Sequence, residues 1–189
     1  TLIIIWRKKL RGMNLINGEQ TDFRYAGIDN FDVNNGNGVG VTLFVQGCSH
    51  HCKGCHNQST WNKCGGFPFT QDTFDYLFGI LSKPSISRFT LSGGDPLDNV
   101  KFTYYLCKKF KSLYPGKQLW IYTGYTYEAI IQNPTYLKIL ELCNVLVDGE
   151  FKIEEKDLRL QFRGSKNQRI IDVQKSINDN RTVLWNKKG

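Results

Sequence analysis

Phe89-Thr90-Leu91-Ser92-Gly93-Gly94-Asp95-Pro96-Leu97 is a short apolar run that stops in two glycines, an acidic residue and a proline. Residues 87–92 read as a strand bounded by turn residues. Residues 98–113 read as a helix, with Val100, Phe102, Tyr105, Leu106 and Phe110 at helical spacing. The same alternation extends both ways. Upstream, residues 39–46 form a predicted strand behind the turn-rich Asn34-Asn35-Gly36-Asn37-Gly38. After a cysteine-bearing loop comes a predicted helix over 70–81, with Phe74, Leu77, Phe78 and Leu81 on one face, Thr70 as N-cap and Pro84 beyond its end. Downstream, 118–123 reads as a strand, 127–131 and 135–143 as a helix interrupted at Pro134, 144–147 as a strand, 154–160 as a short helix or turn, and 169–173 as a last strand. Such an order predicts an α/β fold with a mostly parallel sheet and crossover helices. Functional residues then belong at the carboxyl ends of the strands. The junctions after Gln46, Ser92 and Thr123 all fall there.

Of the 189 residues, 40% are hydrophobic and 22% charged, which suits one folded domain and excludes a disordered chain. No apolar run approaches a bilayer span, so no membrane partner is expected. The net charge is +8, and four basic residues among the first twelve (Arg7, Lys8, Lys9 and Arg11) account for half of it. The rest, such as Lys108, Lys109 and Lys111, are scattered, which fits a solvated face and no nucleic-acid partner. The apolar residues 2–6 precede the basic group, the reverse of a secretory signal. With Met13 the single methionine, residues 1–12 are expected to be an upstream or non-native extension, and 13–189 one domain.

Six cysteines in such a chain point to metal or redox chemistry rather than a disulfide framework. Cys107 and Cys143 sit in helix-like apolar patterns and read as buried small hydrophobes, while Cys64 stands apart before Gly65-Gly66. The other three lie in Gly47-Cys48-Ser49-His50-His51-Cys52-Lys53-Gly54-Cys55-His56-Asn57, with C-x3-C-x2-C spacing. A four-iron cube takes four outer ligands, so Cys48, Cys52 and Cys55 would leave one iron open. An open position marks a catalytic metal site. S-adenosylmethionine can chelate such an iron through its amino and carboxylate groups. Zinc stays open as an alternative here, because all three histidines of the chain lie in the same loop and make a Cys3His set available. At Gly93-Gly94 a ligand can approach the backbone closely, and Asp95 can accept hydrogen bonds from an ammonium group. Asp95 can equally cap the helix that Pro96 begins, and the two roles are compatible.

Together these segments resemble the radical S-adenosylmethionine superfamily. More narrowly, Val45-Gln46-Gly47-Cys48, Asn57-Gln58-Ser59-Thr60-Trp61, Ile121-Tyr122-Thr123-Gly124-Tyr125-Thr126, Val147-Asp148-Gly149-Glu150-Phe151 and Arg163-Gly164-Ser165-Lys166-Asn167-Gln168-Arg169 are similar to the activating enzymes of anaerobic ribonucleoside-triphosphate reductase. The likeness runs from about residue 14 to residue 173. It implies an incomplete (β/α) barrel of the radical SAM type. It implies a [4Fe–4S] cluster on Cys48, Cys52 and Cys55, and S-adenosyl-L-methionine beside Gly54, His56 and Asn57, with Gly93, Gly94 and Asp95 near its methionine end. The implied partners are the reductase large subunit, whose glycine yields a hydrogen atom to the 5′-deoxyadenosyl radical, and an electron donor such as flavodoxin. Tyr122, Thr123, Asp148 and Arg163 are weaker candidates for contacts, with strand-end packing as the competing role. This chain has Gly54 where an aromatic residue often precedes the third cysteine, His56 where an aromatic often follows it, and Gly36-Asn37-Gly38 where Gly-Pro-Gly is common. A radical enzyme for a small molecule and a zinc-bearing interaction module are the alternatives. The oxygen lability of a reachable cluster leads to an expected cytoplasmic location.

Overall fold

The computed structural model describes residues 15–16, 19–20 and 22–186, so the expectation for residues 1–12 lies outside the described residues. A short pair, β1 (Leu15–Ile16) and β2 (Glu19–Gln20), precedes the main sheet. That sheet has seven strands: β3 (Arg24–Asp32), β4 (Gly40–Val45), β5 (Phe67–Pro68), β6 (Arg88–Gly93), β7 (Gln118–Tyr122), β8 (Val145–Asp148) and β9 (Arg169–Asp172), in the order β5-β3-β4-β6-β7-β8-β9. The middle strands β4, β6, β7 and β8 run parallel, with Val41 beside Phe89 and Thr90 beside Trp120. Both margins are antiparallel. The parallel expectation therefore holds in the middle and fails at the edges. The reason is connectivity. A short loop, residues 33–39, joins β3 to β4, and residues 149–168 join β8 to β9 without a crossover helix, so in both places the chain returns from the end it left.

Alternation along the strands separates two faces. Val41, Leu43, Val45, Phe89, Leu91, Leu119, Ile121 and Leu146 join one core with Phe74, Leu77 and Leu81 of α1 (Gln71–Leu81), Phe102, Leu106 and Phe110 of α2 (Val100–Leu113), Ile130 of α3 (Tyr127–Ile131) and Ile139 of α4 (Pro134–Leu140). All four helices thus cover the same face, as right-handed crossovers between strands added successively on one side require. Thr70 caps α1 and exchanges hydrogen bonds with Thr73 in a capping box. At Pro134, which has no N–H to give, the chain breaks between α3 and α4, and Asn133 caps the second piece.

The opposite face is mixed. Trp120, Val145 and Val147 pack with Phe162 and Trp185. Beside them lies an internal ion pair. Arg88 is fully buried, and its Nη2 donates to the Asp32 carbonyl at 2.8 Å and to Asp32 Oδ2 at 3.3 Å, while Nη1 reaches the Asn35 carbonyl at 2.7 Å. Burial alone would raise Asp32, but the Thr42 hydroxyl, the N–H groups of Asn34 and Asn35, and Arg88 together bring its carboxyl below the usual range. Gly36, at φ +136, makes room for this arginine: a Cβ there would stand 2.6 Å from Arg88 Cδ.

Besides the two-residue strands β1, β2 and β5, a long strand and a short helix escaped the sequence reading. β3 holds Gly27, Asn30 and two aspartates and has no clean alternation of burial, so no period marks it. The short helix α5 (Val173–Asn178) begins where the last strand was expected to end, because the Asp172 side chain accepts from Lys175 N–H and caps it.

Candidate cluster site

Each parallel strand ends on the same side, and the loops that leave them are tied together. After β4, Gly47 (φ +99) donates its N–H to the Thr60 carbonyl at 2.7 Å, and Cys48 N–H reaches the Trp61 carbonyl at 3.1 Å. Gln46 Nε2 donates to the carbonyls of Ser59 and Asn62, both at 2.8 Å. The mouth of the cysteine loop is therefore closed by the protein itself. Asp95 N–H donates to the Gly47 carbonyl at 2.8 Å, which joins the loop to the β6 turn. Gly94 is required at this join, since a Cβ would lie 2.2 Å from that carbonyl oxygen. Gly93 (φ +98) is equally constrained, by the backbone of Phe44.

Cys48, Cys52 and Cys55 are half-buried free thiols. The Asn57 N–H donates to Cys55 Sγ at 3.3 Å, and the backbone amides of His50 and His51 near Cys48 and of Phe151 near Cys52 act to lower those thiols. Such donors favour sulfur carrying negative charge, as a cluster ligand does. Burial nonetheless pushes the Cys48 thiol up to about 11 and raises Cys52, so loading iron must displace protons. Among the described residues no three His, Cys, Asp or Glu side chains converge as ligands of a metal ion. A cube meets its cysteines through separate irons, whereas tetrahedral zinc gathers four donors on one ion. Three thiols, with backbone amides beside them, fit the cube in donor chemistry.

The structure separates the three histidines. His50 is turned inward, with Nε2 2.9 Å from Asp95 Oδ2 and Nδ1 3.1 Å from Glu150 Oε1. Its hydrogen bond with Asp95, joined by Glu150, outweighs burial and raises it to about 9. His51 sits against Trp61, with ring centroids 4.8 Å apart. His56 lines a cavity of about 840 Å3.

That cavity gathers some of the predicted residues and leaves others behind. Gly54, Cys55, His56 and Asn57 form one side, with Ser92 and Tyr122 from the strand ends. Phe151, Phe162 and Arg163 also line it. Gly93, Gly94 and Asp95 do not line it. Asp95 is 1% exposed, and its carboxylate accepts from Leu97 N–H (2.8 Å), Thr123 Oγ1 (2.9 Å) and Gly124 N–H (2.8 Å) as well as facing His50. The capping geometry expected of it is present. Thr123 is occupied with Asp95, and Asp148 accepts from Tyr127 N–H and Arg169, so both do packing work. Sequence reasoning missed most of the 149–168 connector as a wall of the site. Its residues carry no period, and its resemblance to the family was the only signal there.

The description "4Fe-4S single cluster domain" matches residues 34–171, a span that holds the cysteine loop and most of the cavity wall. The anaerobic ribonucleoside-triphosphate reductase-activating protein of Escherichia coli is 43% identical over 141 residues, covering 72% of this chain and 90% of that protein. The proteins of the same name from Vibrio cholerae and Enterobacteria phage T4 are 42% and 43% identical over 143 residues, covering 74% of this chain and 91% and 87% of theirs. The chain belongs to this family of activating proteins. A [4Fe–4S] cluster is the family's cofactor, and the resemblance read from the sequence is confirmed. Among the described residues no helix is long and apolar enough to cross a membrane.

Proposed function

We propose that this chain activates anaerobic ribonucleoside-triphosphate reductase, with Cys48, Cys52 and Cys55 holding the [4Fe–4S] cluster. The observation that carries the reading is the placement of Cys55, with Gly54, His56 and Asn57, on the wall of an 840 Å3 cavity at the carboxyl ends of the parallel strands. When bound, the cluster would supply the one electron that breaks a carbon–sulfur bond of S-adenosylmethionine, giving methionine and the 5′-deoxyadenosyl radical, and hydrogen transfer from a reductase glycine would leave 5′-deoxyadenosine and a glycyl radical.

The chain's own residues bind, orient and shield. Gly54, His56 and Asn57 border S-adenosylmethionine, with Tyr122 and Arg163 on the same cavity's wall. Gly93, Gly94 and Asp95 belong near the ligand's methionine end, where the two glycines hold the backbone that backs the loop and buried Asp95 fixes that backbone. Apolar Phe151 and Phe162 keep water from a radical intermediate. The half-open sheet, with helices on one face only, fits an incomplete (β/α) barrel of the radical SAM type formed by residues 13–189. A low-potential donor of the flavodoxin kind in a reducing cytoplasm would supply the electron.

Anaerobic incubation with the reductase, S-adenosylmethionine and a reductant is expected to give a glycyl radical signal by electron paramagnetic resonance. Persistent absence of that signal with competent reductase would favour a small-molecule substrate. Full occupancy by zinc after anaerobic purification would overturn the reading altogether.

A further inference from the structure

The connector between β8 and β9 runs beside the cysteine loop, with the contacts in the same order along both segments. Glu150 Oε1 meets His50 Nδ1 at 3.1 Å. The Phe151 backbone amide lies near the Cys52 thiol. Ile153 lies under Gly54, where an added Cβ would come within 2.8 Å of Ile153 Cδ1 and 3.2 Å of Cγ1. Gly54, at φ +73, stands between the second and third cysteines, so its backbone sets the direction in which Cys55 leaves. Space that a side chain at position 54 would claim is filled from the connector.

We propose that Ile153 is a positioning residue for the cluster: packed on Gly54, it holds the segment carrying Cys52 and Cys55 in place and shields that side of the iron site. The inference rests on the proposed ligand set. Its physical basis is that ligand orientation is set by groups packed outside the ligands, and a half-buried aliphatic side chain does this by excluding alternative backbone positions and water.

Wild type, Ile153→Ala, Ile153→Leu, Gly54→Ala and the Gly54→Ala/Ile153→Ala double variant are reconstituted anaerobically and challenged with a ferrous chelator, timing the loss of cluster absorption. Ile153→Ala is expected to release iron roughly tenfold faster than wild type, while Ile153→Leu stays near it. In the double variant the effect of Gly54→Ala should shrink, because the atom it would strike is gone. The melting temperatures of the metal-free proteins should agree within about 4 °C, which separates loosening of the site from general destabilisation. Iron release from Ile153→Ala at the wild-type rate, or strictly additive effects in the double variant, would overturn the proposal. A Cys52→Ala protein that kept its cluster would instead overturn the ligand set.

Discussion

Asp95 offers a sharp discrimination between support of the fold and contact with a cofactor. Replacing it by Ala removes the acceptor of three protein donors, Leu97 N–H, Thr123 Oγ1 and Gly124 N–H, and leaves His50 without a partner at Nε2. Donors left unpaired in a buried place lose about 1–3 kcal/mol each. These four groups share one carboxylate, so their losses overlap and water entering the gap recovers part. The expected destabilisation is about 3–5 kcal/mol, with loss of the helix cap contributing roughly 1 kcal/mol of that. For a domain of this size such a loss lowers the melting temperature on the order of 10 °C. The measurement is thermal or urea unfolding of the metal-free protein, where no cofactor can contribute. Asp95→Asn keeps one acceptor oxygen and should lose less than half as much. If metal-free Asp95→Ala melts within about 1 °C of wild type, the carboxylate is not holding the strand ends together and the assignment made from its hydrogen bonds is wrong.

Arg88→Met leaves Asp32 buried without its cation and should destabilise by about 3–5 kcal/mol in urea unfolding, with a substantial part restored in the Arg88→Met/Asp32→Asn double variant. Arg169 holds the Glu128 carboxyl down at about 2, so its stabilisation is present above the ordinary carboxylate range near 4.5 and fades as pH falls from there toward 2. Because Glu128 is half-exposed, this amounts to less than about 1 kcal/mol, and Glu128→Gln should flatten the pH dependence of stability in that window alone. Cys52→Ala is expected to lose the iron and the brown absorption of anaerobically reconstituted protein, whereas Cys64→Ala, altering an exposed thiol, should keep both.

The parallel middle of the sheet was legible in the sequence because its strands are apolar on their helix-covered face, and β4, β6 and β7 each lead to a helix with its own apolar spacing. Phe89 and Leu91 beside Thr90 and Ser92, then Asp95 and Pro96, carry that message within nine residues. The margins were not legible. β3 takes its place through pairing with β4 and through Asp32, whose partner Arg88 is 56 residues away, and a contact of that range leaves no local period. Cys48, Cys52 and Cys55 announced metal by spacing alone, yet spacing could not separate iron from zinc, nor show that His50 turns away toward Asp95. The connector's role was hidden for a related reason. Ile153 and Gly54 matter as a pair, and neither is informative until the fold brings them together.

The closure of the cysteine loop by Gln46, Gly47 and Cys48 bears on how this protein meets oxygen. In small zinc modules the metal is the fastener, and its removal is an unfolding event. Here the fastening is done by amide and carbonyl groups between residues 46 and 62. Oxidation that dissolves the cluster would strip a tool from a frame that stays standing. Damage of that kind would be a maintenance problem rather than a death, leaving a polypeptide open to refilling with iron and sulfide once oxygen is removed.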